Sequence, residues 1–145
     1  MRWMSGRSGD PLVRALVSAL DAKRVQVGDG ARRLYSRDAS VIRGGQAGVI
    51  CFPETTEEVS ACVVAALAHG RDFVARGAGT GLAGGAVPCD EPVMVVLTRM
   101  DRILEVDVPR RLAWVEPGVV NLDLSRHLAG TGLHFAPDPS SQQSC

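Results

Sequence analysis

One stretch constrains this chain more than any other: ARGAGTGLAGGAVP, Ala75 to Pro88, where five glycines fall within nine residues and Gly79, Gly81 and Gly84 spell GxGxxG. The β-prone run DFVAR leads straight into it, and the apolar run VMVVLT follows. A dinucleotide-fold turn requires a helix that opens inside such a motif and aims its N-terminal amides at a pyrophosphate. Here Gly84 is followed by Gly85, Ala86, Val87, Pro88, Cys89, Asp90, Glu91 and Pro92. Two prolines and an extra glycine leave no room for the ~ten helical residues of a βαβ crossover. The nicotinamide-binding βαβ reading therefore fails on context. A Walker-type loop fails too, because no Lys and Ser or Thr follow Gly84 and Gly85.

What remains is an anion nest or a mobile connection. Consecutive glycines can take positive φ and turn successive backbone N–H groups toward an anion. Thr80 adds a hydroxyl donor, and Arg76 stands at the entrance. Leu82, Ala83, Ala86 and Val87 are interleaved with the glycines, where a solvated linker would carry Ser, Asn or Lys. That favours a rigid nest, with positive φ at more than one glycine and Gly81 among them.

The rest of the chain supplies the frame. DPLVRALVSALDAKR reads as a helix capped by Asp10, with Pro11 first and Leu12, Leu16, Val17 and Leu20 on one face. VGDGARRLYSRDAS reads as polar and irregular, with Arg32 and Arg33 solvated. GVICFP is a short buried strand, and TTEEVSACVVAALAHG is a helix opened by a Thr55–Glu58 capping box and stopped at Gly70. Its expected apolar face is Val59, Cys62, Val63, Ala66 and Leu67. VMVVLT is apolar on both faces, as a buried parallel strand is. RILEVDVPRRLAWVEPG forms two strands around a turn at Pro109 and Arg110, and NLDLSRHLAGTG a helix capped by Asn121. His134 alternates with Leu133 and Phe135 as in a strand. The fold class is α+β: a small parallel βαβ subdomain followed by the start of an antiparallel-sheet subdomain. Residues 1–33 are a helical lead-in, and 34–145 the main unit.

Charges cancel over the 145 residues, which removes the simplest case for nucleic acid or an anionic membrane as partner. No apolar run approaches the ~20 residues of a membrane span. Cys51, Cys62, Cys89 and Cys145 form no CxxC pair, and neither His127 nor His134 has a second ligand at metal spacing. No metal is expected. Glu57 and Glu58 are helix-start charges, and Ser140, Ser141 and Ser144 lack the elbow and paired His of a hydrolase. Cys51 and Cys62 in apolar runs fit buried reduced thiols, and MRWMSGRSGD does not read as a cleaved secretory leader. The default location is cytoplasmic.

RGAGTGLAGG resembles the pyrophosphate loop of the FAD-dependent vanillyl-alcohol oxidase / p-cresol methylhydroxylase family, and its surroundings agree in order. YSRDAS lies upstream, VICFPETTEEVSACVVAALAHG and LTRMDRILEVD flank the loop, and WVEPGVVNLDLSRHLAGTGLHFAPDPSSQQSC follows. The match runs from about Leu34 onward and is similar to the glycolate oxidase subunit / D-lactate dehydrogenase branch. The resemblance implies that Arg76, Gly77, Ala78, Gly79, Thr80, Gly81, Leu82, Gly84 and Gly85 wrap the FAD diphosphate. It also implies that Glu116, Pro117 and Gly118 line the cofactor groove, and that Pro137, Asp138 and Ser141 pass beside the flavin. Thr80 stands where some relatives carry a flavin-linking His, so FAD is expected without a covalent bond. The implied activity is hydride transfer from a small 2-hydroxy acid to FAD, with the electron acceptor or partner subunit left open. Family members continue past SSQQSC, so the chain reads as an N-terminal fragment, inactive alone, whose catalytic residues lie further on. Its C-terminal segment and antiparallel sheet are expected to be uncovered. The alternatives are a non-catalytic truncated remnant and, disfavoured by the missing helix, an NAD(P)-binding βαβ module.

Overall fold

The computed structural model describes residues 9–144; the first eight residues of the stretch read for a leader and the terminal Cys145 lie outside them. Strands β1 (Val25–Gln26), β2 (Val49–Cys51), β3 (Phe73–Arg76) and β4 (Val93–Val96) form one sheet in the order β1-β2-β4-β3. The last three are parallel and β1 is an antiparallel edge. All four residues of β4 are buried, as its unbroken apolar run requires of a central parallel strand.

Helices α1 (Pro11–Leu20) and α3 (Thr56–Ala68) cover one face. The Asp10 carboxylate accepts from the Leu12 amide at 2.9 Å and caps α1, while Pro11 starts it without losing a hydrogen bond. Leu12, Leu16 and Leu20 are buried with Cys62 and Ala66 of α3 and with Val49, Cys51, Val93 and Val95 of the sheet. Each such leucine contributes about 1.5–3 kcal/mol. Cys51 and Cys62 meet in this core as free buried thiols, and contact with Cys62, together with burial, pushes the Cys51 pKa up.

Thr55 caps α3, accepting from the Glu58 amide at 3.2 Å. The Glu58 carboxylate in turn accepts from the Glu54 amide and pairs with both terminal nitrogens of Arg24 at 2.6 Å. Leu67 leaves the expected face and is 61% exposed. The stripe centres on Cys62 and Ala66, one helical step behind it.

The opposite face packs Ile50, Met94 and Val96 with Ala47 and Phe52. Against it lies α2 (Asp29–Leu34), a helix in the segment read as irregular. Gly30 lowers its local propensity, but Ala31 and Tyr35 pack on the sheet and hold it. Arg32, read as solvated, is 3% exposed. Its Nε donates to Ala47 O, and its terminal nitrogens reach Asp29 and Glu91. Burial is tolerated because acceptors surround the charge.

Beyond the sheet, β5 (Ile103–Asp107) and β6 (Leu112–Val115) form the expected hairpin, with Arg111 at φ +57 in its turn. Helix α4 (Asn121–His127) has Val120, not Asn121, as its N-cap. The Asn121 amide instead donates to Pro137 O at 2.9 Å, a partner no local pattern announces. Residues 133–135 form no strand, and His127 and His134 are exposed. Leu104, Leu112, Trp114 and Val115 of the hairpin are exposed. An open cleft of about 550 Å³ separates Val106, Leu112 and Val115 of the hairpin from α4 and Leu133 to Phe135. The hairpin sheet is uncovered as expected, and Pro137 to Ser140 are exposed. Ser141 and Gln142, also expected to be poorly packed, are instead half-buried, and Leu122 N donates to Gln142 O. Among the described residues, no helix is long and apolar enough to cross a membrane.

Candidate functional site: the glycine loop

The chain crosses from β2 through α3 to β3 over one face, then returns from β3 to β4 through residues 77–92. A right-handed path places that return over the other face, where Tyr35 lies. No helix forms within 77–92, so the glycine segment itself is the parallel crossover and the nicotinamide-type alternative is excluded. It begins at the C-terminal ends of the parallel strands, where Leu97 N donates to Arg76 O at 2.8 Å. Open α/β sheets bind ligands at this edge.

Within the loop, Gly79 and Gly84 have φ of +79 and +78. Gly81, expected to share that conformation, does not. A side chain at Gly79 would run into the Arg76 guanidinium, and one at Gly84 into Ile42. Gly77, Gly81 and Gly85 differ: among the described residues, nothing beyond their chain neighbours lies within 4 Å of where their Cβ would be. Neither φ nor internal packing requires glycine at these three. They leave an open face.

Hydrogen bonding points the same way. Among the described residues, the backbone N–H groups of Ala78 to Gly85 donate to no protein acceptor, whereas the carbonyls of Gly79 and Gly84 accept from Ala39 N (2.9 Å) and Val87 N (3.1 Å). Carbonyls are engaged and amides are left over, which is the polarity an anion requires.

Arg76 lies beneath the loop, only 8% exposed. Its Nη1 donates to Arg37 O at 2.7 Å, and its guanidinium sits 5.2 Å from the Tyr35 ring centroid. Its Nε is buried without a partner, as is Asp38 Oδ2. The Asp38 carboxyl is held below its usual range first by hydrogen bonds from Ser40, with a smaller contribution from Arg76. Tyr35, Asp38 and Ile42 were not singled out from the sequence. YSRDAS was a signal, but its polar composition concealed that it packs against the loop.

The remaining sequence candidates fall into two groups. Glu116 is buried and bonded to the Arg102 side chain (2.6 Å) and amide (2.9 Å), which hold its carboxyl below the usual range. Pro117 after it is exposed. Gly118 donates to Met100 O at 2.8 Å, and a methyl there would run into Leu97 O. Leu97 thus neighbours both this turn and the start of the glycine loop. Pro137 is tied to Asn121, and Leu122 N donates to Gln142 O at 2.9 Å, so this segment docks on the first turn of α4. Asp138 is exposed, and Ser141 O accepts from Ser144 N. Among the described residues, no group of three or more His, Cys, Asp or Glu side chains is arranged to hold a metal.

Unclaimed amides, three open glycine positions and an arginine beneath them fit the diphosphate of a dinucleotide. Comparison with known proteins identifies which one. The profile of the family described as "FAD binding domain" matches residues 47–145. The glycolate oxidase subunit GlcD of Escherichia coli is 41% identical over 97 residues, 67% of this chain and 19% of that subunit. The probable mitochondrial D-lactate dehydrogenase of Danio rerio is 32% identical over 133 residues, covering 92% of this chain and 27% of that protein. The chain therefore spans about a fifth to a quarter of the length of these relatives. Among solved structures, alkyldihydroxyacetonephosphate synthase shares the fold at TM-score 0.80 and 21% identity, over 92% of this chain and 27% of that one. p-Cresol methylhydroxylase does so at 0.73 and 21%, over 81% and 24%. The chain belongs to the FAD binding domain family, and FAD is its cofactor.

Proposed function

We propose that this chain holds the FAD diphosphate in an oxidoreductase that oxidises a small 2-hydroxy acid such as glycolate or D-lactate. The carrying observation is the row of unclaimed amides from Ala78 to Gly85. In this reading those amides and the Thr80 hydroxyl donate to the diphosphate oxygens. Gly77, Gly81 and Gly85 admit them to the backbone, the Leu82 backbone continues the cradle, and Arg76 adds positive potential from beneath. Pro117, Gly118, Pro137, Asp138 and Ser141 border the rest of the groove. When bound, FAD supplies the two-electron acceptor for hydride leaving the substrate's α-carbon. This chain binds and orients it. The unit runs from Leu34 onward, with residues 1–33 as its lead-in.

The substrate class is supported by the names of the relatives, which are glycolate oxidase subunits, D-lactate dehydrogenases and a D-2-hydroxyglutarate dehydrogenase. Residues 76–87 contain no His, Cys or Tyr, which supports non-covalent attachment. The free thiols of Cys51 and Cys62 fit a reducing compartment such as the cytoplasm. The test uses the full-length enzyme. Acid precipitation should leave the flavin in solution, and anaerobic glycolate or D-lactate should bleach its absorbance. Flavin in the pellet overturns non-covalent binding. Failure of every 2-hydroxy acid to bleach it overturns the substrate class.

A further inference from the structure

We infer that residues 39–48, with the Arg32–Glu91 ion pair, form a positioning strap that sets the geometry of the glycine loop. FAD affinity then depends on residues that bond the loop's carbonyls and exit arm, not its amides. This deepens the reading of the loop as the diphosphate site and rests on it. Most of the strap precedes the residues matched by the family profile, which start at 47.

The two segments ascend together. Ala39 N donates to Gly79 O at 2.9 Å, and the Ile42 side chain occupies the place of a Cβ on Gly84. Further on, Gly45 N donates to Pro88 O at 2.8 Å, and Gly48 N to Pro92 O at 2.9 Å. The strap thereby supplies donors to loop carbonyls and makes no demand on the amides of Ala78 to Gly85. It also lies close. A methyl on Gly44 would run into the Val87 side chain and Pro88 O, and one on Gly48 into Glu91 O. Widening this gap by one carbon displaces the exit arm.

The exit arm is strained. Asp90 and Glu91 have φ of +54 and +53, a conformation that side-chain-bearing residues keep only when their surroundings hold them. The holder is Arg32. Its buried guanidinium grips the Glu91 carboxylate while also bonding Ala47 O, the residue where the strap joins β2. Arg71 reaches the Glu91 carbonyl at 3.4 Å. Strap, loop exit and sheet are therefore clamped through one ionic node. Amide positions matter here because charge-assisted hydrogen bonds to phosphate weaken steeply with misalignment.

The experiment uses full-length apoenzyme titrated with FAD, ADP and riboflavin, and follows its thermal melt. Gly44→Ala pushes strap and exit arm apart, and Glu91→Gln removes the charge from the node. Gly30→Ala, whose added methyl meets nothing within 4 Å, is the control. Gly81→Val, on the open face of the loop, benchmarks the diphosphate reading. Gly44→Ala and Glu91→Gln should each weaken FAD and ADP about tenfold and leave riboflavin within about twofold, with Gly30→Ala unchanged. A general fold lesion would weaken all three ligands alike and lower the melt; that result overturns the strap's positioning role. Unchanged FAD and ADP binding in both strap variants, with Gly81→Val impaired, overturns the strap alone. An unimpaired Gly81→Val overturns the diphosphate reading and the strap with it. Should Gly44→Ala not fold, Glu91→Gln alone decides, since its amide retains a hydrogen-bond acceptor for Arg32.

Discussion

Gly79 and Gly81 are two residues apart in one motif, and the structure gives them opposite roles. Gly81 lies outside the left-handed region and has open space where a side chain would go. Gly81→Val should therefore change apoprotein stability by no more than about 0.5 kcal/mol, as at other open surface sites. The same side chain would stand where the diphosphate must approach. Each amide–phosphate hydrogen bond contributes about 1.5–3 kcal/mol. Displacement from two of them removes about 3–6 kcal/mol, or roughly 10²- to 10⁴-fold in affinity. Gly79→Ala reverses the pattern. Its φ of +79 costs a non-glycine residue about 1–2 kcal/mol. The added methyl also meets an Arg76 guanidinium held by Arg37 O and Tyr35, and such overpacking adds about 1–3 kcal/mol. The apoprotein should then melt several degrees lower. Thr80→Ala removes one hydroxyl among many donors and should cost at most about tenfold in FAD affinity. The assay is flavin fluorescence titration of the full-length apoenzyme, with circular dichroism melts of each variant. Gly81→Val binding FAD within about threefold of the parent would refute the reasoning. So would a Gly79→Ala apoprotein that melts with the parent.

Two further outcomes follow from the packing and the ion pairs. Gly118→Ala should destabilise the full-length protein by about 1–3 kcal/mol, because its methyl meets only backbone: Leu97 O, Met100 O at 2.8 Å and Thr98 Cα at 3.0 Å. An unchanged melting temperature would mean that the turn shifts freely. Glu58 is held below its usual range chiefly by its hydrogen bond from Arg24. Its contribution is therefore complete above the unfolded carboxylate pKa of about 4.3 and is lost as pH falls through the lower folded value. Arg24→Gln should cost about 1 kcal/mol near pH 7, discounted for the pair's partial exposure. In urea unfolding that deficit should shrink on acidification, and a deficit independent of pH would refute the assignment.

Much of this architecture is legible in the chain because its causes are local. The Asp10–Pro11 start of α1, the Thr55 cap of α3 and the doubly apolar β4 each follow from residues a few positions apart. So does the absence of a helix after the glycines, since Pro88 and Pro92 act on their own neighbours. This local grammar suffices to reject a nicotinamide site and to point to an anion cradle. It is insufficient for α2, a short helix carrying Gly30 whose Ala31, with Tyr35 at its end, packs against the sheet. Arg32 reads as solvated until Glu91, fifty-nine residues away, is brought beside it. Asn121 looks like a cap until its side-chain amide donates to the Pro137 carbonyl. Nor could the motif say which glycines take positive φ: the two that do are engaged from residues 39–42, where Ala39 N donates to Gly79 O and the Ile42 side chain lies against Gly84. Short-range sterics and hydrogen bonding determine that a cradle forms at all. Its shape comes from contacts between segments far apart in sequence, whose register exists only once the sheet has assembled.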